Sequence, residues 1–199
     1  MAADSRTHTG KLVLIMGPSG VGKSVILKRL RESNPNIHFP RSATTRAKRP
    51  GEGDDLYRFV SEEAFDHLIN DKKVLEWAIV HNGARYGTLV DEIIPYIEQG
   101  KIVLREVDVQ GFDSIRSNPF FAGENAPYTL QSLFILPESK AQLIAHITKR
   151  APIGEEELKR RIASMEKELE YAEHCDVAVK NIEGKLKETL KVVEKAIMH

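Results

Sequence analysis

Residues 11–24 read KLVLIMGPSGVGKS. A lysine and five apolar residues run without alternation into a turn that carries glycine at 17, 20 and 22. An unbroken apolar run of this length, closed by a glycine turn, is the pattern of a strand buried on both faces. From Gly22 onward Ile26, Leu27 and Leu30 fall on one side of a helical projection and Lys28, Arg29 and Arg31 on the other, until Asn34-Pro35 stops the helix. The stretch therefore predicts strand, tight turn, helix.

The rest of the chain repeats that alternation. KIVLREVDV (101–109) and LQSLFILP (130–137) read as apolar strands, each followed by a helical segment. A long charged helix is expected from Glu155 to His174, a last short strand at 176–181 and a closing amphipathic helix at 183–197. Strands alternating with helices predict an α/β fold with a mostly parallel central sheet, helices on both faces and right-handed crossovers. Residues 37–88 have a different texture. Short strand-like pieces at 57–60 and 73–80 flank a helix that starts at Ser61, where Ser-Glu-Glu supplies an N-cap and acidic first-turn residues. This segment reads as an inserted small α+β domain. Residues 88–99 are expected to be helical, with Pro95 kinking or shortening that helix.

Composition narrows the class. The 199 residues hold 29 Lys+Arg against 29 Asp+Glu, so no global field points to nucleic acid or a membrane surface. Any anion site has to come from local clustering. One cysteine, Cys175, excludes an internal disulfide and suits a reducing compartment. The polar start and the short LVLIM run fit neither a signal segment nor a span of ~18 apolar residues. The expectation is a soluble, cytoplasmic protein. The seven histidines show no metal-ligand spacing.

The glycine turn has its own chemistry. GPSGVGKS (17–24) fits G-x-x-x-x-G-K-[ST] in the required place, after a buried strand and before a helix. Glycines let backbone N–H groups turn inward around phosphate oxygens, and the helix N-terminus adds its positive end. Lys23 would reach the β- and γ-phosphates of a nucleoside triphosphate and the Ser24 hydroxyl would ligate Mg²⁺. Asp108, at the end of the apolar run 102–107, is either a carboxylate on the metal side or a cap of the following turn; the loop upstream favours the metal.

The acceptor is addressed by ATTRAKRPGEGDDLY (43–57). Alone, a mixed-charge stretch is a solvated loop. Yet Arg46 and Arg49 sit three apart in a Pro-Gly-broken loop, where two guanidinium groups can fork onto one phosphate. Downstream, LEWA (75–78) sets Glu76 in an otherwise apolar strand, and RYGT (85–88) adds Tyr86 and Thr88. A carboxylate in such a strand needs a partner. The N1–H and N2–H edge of guanine offers two donors, and its O6 accepts from hydroxyls such as Ser42 and Thr88.

With these residues assembled, the chain resembles the guanylate kinase family from Lys11 to its end. The resemblance is carried by GPSGVGKS, S-x-T-T-R-x-x-R-P-G-E (42–52), LEWA, YGT (86–88) and E-V-D-V-Q-G (106–111). It implies a P-loop nucleoside monophosphate kinase: a single domain over 1–199, with core 11–36 and 89–199, a GMP-binding insert 37–88 and a lid 149–157. It implies transfer of the γ-phosphate of ATP to GMP with Mg²⁺, ATP and GMP being the partners and no nucleic acid or membrane among them. ATP falls to Gly17, Ser19, Gly20, Val21, Gly22, Lys23 and Ser24, with Asn181 near the adenine and Ser24 and Asp108 on the metal. Ser42, Glu76 and Thr88 are implied to read guanine, with Glu106 on the base side. Arg46, Arg49, Tyr57 and Tyr86 are implied to hold the GMP phosphate, Glu52 to support those arginines, and Lys23, Arg46, Arg150 and Arg161 to act at the transition state. His146 stands where many family members carry a further lid arginine. Two other readings are an inactive guanylate-kinase-like module that binds protein, and a different small-molecule kinase on the same scaffold. Against the first stand the intact Gly17, Gly22, Lys23 and Ser24; against the second stand Ser42, Glu76 and Thr88.

Overall fold

The computed structural model describes residues 10–80, 83–150 and 154–199, with Arg150 described by its backbone alone. In chain order the elements are β1 (Lys11–Met16), α1 (Lys23–Ser33), β2 (Ile37–His38), β3 (Ser42–Thr44), β4 (Tyr57–Phe59), α2 (Glu62–Asn70), β5 (Val74–Ile79) and β6 (Arg85–Leu89). A 3₁₀ turn at Val90–Glu92 leads to α3 (Ile94–Glu98), β7 (Ile102–Glu106), α4 (Val109–Arg116), β8 (Thr129–Pro137) and α5 (Lys140–Arg150). The chain closes with α6 (Glu155–Glu170), a 3₁₀ turn at Tyr171–His174, β9 (Val177–Asn181) and α7 (Leu186–Met198).

Five strands form a parallel central sheet in the order β2-β7-β1-β8-β9, with helices around it. β1 sits in its middle, and Leu12, Val13, Leu14 and Ile15 are wholly buried. That explains the unalternated apolar run. Each such side chain is worth roughly 1.5–3 kcal/mol of transfer free energy, which makes the strand preceding the glycine loop a rigid footing. Along β8 and β9 the register is held by Asp176, which accepts from both the backbone N–H and the hydroxyl of Ser132 at 2.6 Å. Four further strands form a separate sheet, β4-β3-β6-β5, in which β3 runs parallel to β4 and antiparallel to β6.

The described chain divides into two compact units, one built mainly from His38–Arg105 and Gln110–Leu130, the other from Val13–Ile37, Glu106–Val109 and Gln131–His199. In the first unit the four-stranded sheet lays one face on α2. Ala43 and Leu89 pack with Phe65 there, and Gly87 lies under the same ring, where a Cβ would come within 3.0 Å of Phe65 Cζ. Trp77 meets Phe65 edge-on at 6.2 Å. Side chains alternate along a strand, so the neighbours of these residues stand on the opposite face. α2 starts as expected: the Ser61 side chain accepts from Ala64 N at 3.1 Å.

Some boundaries differ from the sequence reading. Residues 88–99 are not one helix: Leu89 ends a strand, a 3₁₀ turn follows, and α3 begins at Ile94 with Pro95 in its first turn. A first-turn proline lacks only an N–H that has no helical partner, so nothing is kinked. The strand at 101–109 stops at Glu106, because α4 opens at Val109. The strands β2, β3 and β6 were too short or too polar for periodicity to show.

Candidate functional site

The second unit holds the glycine loop. Gly17, Gly20 and Gly22 all lie at positive φ, and Gly22 caps α1 in the left-handed conformation. Gly17 is also closed to any side chain, since a Cβ there would stand 2.5 Å from the backbone Ile135 O, and one on Gly22 would press to 2.7 Å against Asn181 Nδ2. The loop is thus fixed by backbone shape. Among the described residues the N–H groups of Gly20, Gly22, Lys23 and Ser24 donate to no backbone or side-chain acceptor, leaving a nest of donors at the start of α1. Lys23 lies across this nest, donating from Nζ to Gly17 O at 2.5 Å and Pro18 O at 3.3 Å and pairing with Glu106 at 3.5 Å. A cation bonded to neutral carbonyls gains when phosphate oxygens replace them.

Two residues brace the loop from outside. Asn181, at the end of β9, donates from Nδ2 to Val21 O at 2.8 Å. His146 on α5 places Nδ1 3.2 Å from Gly20 O and Nε2 3.7 Å from Glu183. A carbonyl only accepts, so Nδ1 carries the proton. Val21, Gly22, Leu143, His146, Asn181 and Glu183 line a pocket of about 190 Å³ beside the loop. Asp108 lies just beyond β7 and is exposed. Arg161 on α6 pairs with Glu157 one turn earlier at 2.9 Å. The Arg150 side chain and residues 151–153 of the expected lid lie outside the described residues.

The first unit holds the acceptor candidates, and the sheet register lines them up. Tyr57 pairs with Ser42, Ser42 with Thr88, and Thr88 with Glu76, giving one row across β4, β3, β6 and β5. All four therefore share the face turned away from α2. Trp77, the next residue after Glu76, is on the α2 face. Thr88 is wholly buried and donates its hydroxyl hydrogen to Glu76 Oε1. Ser42, 5% exposed, accepts from Arg105 Nη1 at 2.6 Å. The next row on the same face is Phe59, Thr44, Tyr86 and Ala78.

Beyond the ends of β3 the loop 45–56 folds around Glu52. Arg46 forks onto it, Nη1 to Oε2 at 2.9 Å and Nη2 to Oε1 at 2.7 Å, and Arg49 N donates to Oε2 at 3.0 Å. Arg46 Nε also donates to Tyr86 OH at 3.0 Å, and its guanidinium lies 5.4 Å from the Tyr57 ring centroid. The Arg46 bonds and the Arg49 N–H hold the Glu52 carboxyl down to about 2 from its ordinary 4.5. The Arg46 guanidinium is in turn held above its ordinary value, chiefly by the bond to Glu52. The Arg49 side chain is exposed and makes no hydrogen bond or ion pair among the described residues. Arg46 is positioned and Arg49 is available, a division that suits capture of a dianion. Lys48 pairs with Asp54 at 2.8 Å at the surface, and Asp55 is exposed.

The structure thus brings Ser42, Thr88, Glu76 and Tyr57 into one row and Arg46, Glu52 and Tyr86 into one network. It places Glu106 against Lys23 in the unit of the glycine loop. Sequence reasoning missed Arg105, whose only signal was a guanidinium inside the apolar run 102–107. It also left His146 without a contact.

Comparison with known proteins points to one family. A family model described as guanylate kinase matches residues 9–199. The chain is 39% identical over 187 residues to the guanylate kinase of Prochlorococcus marinus, covering 92% of this chain and 97% of that one. It is 36% identical over 190 residues to the guanylate kinase of Helicobacter pylori, covering 94% and 88%. The crystal structure of guanylate kinase from Anaplasma phagocytophilum shares the fold with a TM-score of 0.65 at 27% identity, covering 96% of this chain and 86% of that one.

Proposed function

We infer, from a chain that belongs to the guanylate kinase family, an ATP:GMP phosphotransferase that makes ADP and GDP. The single observation that carries the site assignment is the row Tyr57–Ser42–Thr88–Glu76, which sets hydroxyls and a carboxylate in register along one face. An inactive protein-binding module has no use for a glycine loop whose donors and lysine are intact, and a sugar kinase has no base for Glu76.

In this reading the GMP phosphate is taken by Arg46, Arg49, Tyr57 and Tyr86, with Glu52 keeping Arg46 in place. The base is read by Glu76, with Ser42 and Thr88 beside it; Thr88 orients the carboxylate, and Ser42 supplies a donor to O6. The triphosphate lies on Gly17–Ser24, where Lys23 leaves its carbonyls for the β- and γ-phosphates. Asn181 braces the loop near the adenine, and the resemblance adds Arg150 and Arg161 as charges at the transferred phosphoryl group. Glu106 pairs with Lys23 at 3.5 Å, and the family pattern puts it on the base side. The division into core 11–36 and 89–199, insert 37–88 and lid 149–157 belongs to the same proposal.

A phosphate oxygen of GMP is already anionic, so no general base is required. Catalysis comes from alignment and charge compensation. Two nucleotides bring roughly six negative charges, which gives a use to Lys23 on the glycine loop of one unit and to Arg46 and Arg49 on a single loop of the other. Ser24 Oγ and the Asp108 carboxylate are hard oxygen donors, too few to cage a metal alone, and that fits Mg²⁺, which keeps waters and substrate phosphates as ligands. When bound, Mg²⁺ neutralises charge on the β- and γ-phosphates. Among the described residues no helix is long and apolar enough to cross a membrane, and we place the enzyme in the cytoplasm. ADP release measured with ATP, GMP and MgCl₂, each omitted in turn and EDTA added last, tests the reading. Release is expected only with all three; release without GMP contradicts it.

A further inference from the structure

β7 carries one residue that the family reading does not use. Arg105 follows the buried pair Val103 and Leu104, and its Nη1 donates to Ser42 Oγ at 2.6 Å across 63 positions of sequence. A guanidinium is always charged and offers donors only, so this bond has one possible direction. Ser42 is the accepting partner, and with one lone pair engaged by a cation its single hydrogen is directed elsewhere.

The other hydroxyl in the base-reading row is settled too. Thr88 gives its only hydrogen to Glu76. The row therefore presents a hydroxyl donor on β3, a bonded relay on β6 and a carboxylate acceptor on β5. Guanine matches that order, with O6 accepting at one end and N1–H and N2–H donating at the other. A 6-aminopurine reverses it: its amino hydrogens would meet the Ser42 hydrogen and a fixed positive charge, with one lone pair of that hydroxyl left to accept them. Without Arg105 the Ser42 hydroxyl could turn and accept from that amino group.

We infer that Arg105 is a specificity-determining positioning residue, which commits Ser42 as a donor and so makes the acceptor site select a 6-oxopurine nucleotide over a 6-aminopurine one. The inference rests on the GMP-kinase reading above. Charge-assisted bonding to Ser42 also strengthens its own O–H as a donor, since successive hydrogen bonds polarise one another.

The test compares steady-state kinetics with GMP and AMP for the wild type, Arg105→Met, Arg105→Lys, Ser42→Ala and the Ser42→Ala/Arg105→Met double variant. Arg105→Met is expected to raise the KM for GMP by about tenfold to a hundredfold, the range of a charge-assisted hydrogen bond. The GMP:AMP ratio of kcat/KM should narrow correspondingly, with the KM for ATP unchanged. Arg105→Lys, which keeps the cation and a donor, should recover most of the loss. The double variant should be no worse than Ser42→Ala, because Arg105 acts through that hydroxyl. An unchanged GMP:AMP ratio in Arg105→Met, or losses that multiply in the double variant, overturns the inference. The wild type gives a reading that needs no variant to fold: the 6-thioguanine nucleotide, which keeps N1–H and the 2-amino group but replaces the 6-oxo acceptor by a weaker thione, should be used less well than GMP. Equal use of the two overturns it as well. A wild-type chain inert toward GMP would instead refute the proposed function.

Discussion

Replacing Thr88 by valine isolates one bond in the row proposed to read the base. The side chain is wholly buried and its one hydrogen goes to Glu76, while valine keeps nearly the same volume and shape. The change removes a hydroxyl-to-carboxylate hydrogen bond, a class worth about 1.5–3 kcal/mol. Glu76 is only half-buried, so water replaces part of it. The expected loss is therefore at the low end, roughly 1–2 kcal/mol, or about a 5- to 30-fold rise in the KM for GMP. Stability should fall by the same order, which for a chain of this size lowers Tm by about 2–8 °C. Thr88→Ser keeps the hydroxyl and should retain GMP affinity. Initial rates with GMP and with IMP, which lacks the 2-amino group, report whether Glu76 is still oriented: the preference for GMP should shrink in Thr88→Val and persist in Thr88→Ser. A variant that melts earlier yet keeps the wild-type KM for GMP and the wild-type GMP:IMP ratio would refute the reasoning, because the bond would then support the fold without positioning Glu76.

Other expectations concern the loops. Lys23→Met removes the cation from the loop, where Nζ meets Gly17 O, Pro18 O and Glu106; ADP formation should drop by about a hundredfold or more while the circular dichroism spectrum is retained. Gly22→Ala forces a Cβ to 2.7 Å from Asn181 Nδ2 at a φ of +101°, so the KM for ATP should rise with the KM for GMP unaffected. Glu52 has a depressed folded-state pKa of about 2 against 4.5, so its contribution to stability is complete above 4.5 and disappears as pH falls through about 2. Denaturant midpoints of the wild type and Glu52→Gln should accordingly differ at pH 6 and converge near pH 2; a gap that stays constant over that range would show that the pair with Arg46 is not the cause.

What the sequence made legible was local. The strand–glycine–helix unit shows in fourteen consecutive residues because each glycine answers a backbone demand of its own position. Arg46 and Glu52 are six apart, so their pairing could be suspected from a single loop. The row across β4, β3, β6 and β5 is different. Its members were nameable one by one, but their alignment depends on strand register, which residues 42–44 and 57–59 are too short to reveal. Arg105 was invisible for the same reason: its bond to Ser42 spans 63 positions, and in the sequence it is one charge in a strand. His146 stood out only as a departure from the family pattern until α5 placed its ring on Gly20 O. Of the two outcomes expected at Pro95 the structure has the shorter helix and no kink, because α3 begins beside the proline.

On the proposed reading, the row ending in Glu76 selects guanine for phosphoryl transfer. That selection is met most directly by measuring ADP formation from ATP with GMP, AMP, CMP and UMP as acceptors, in the wild type and in Glu76→Gln. Turnover with GMP should lie far above that with the other three, and the preference should be lost in Glu76→Gln, where an amide presents a donor to guanine donors. Wild-type activity with AMP equal to or greater than that with GMP, or an undiminished preference in Glu76→Gln, would contradict it.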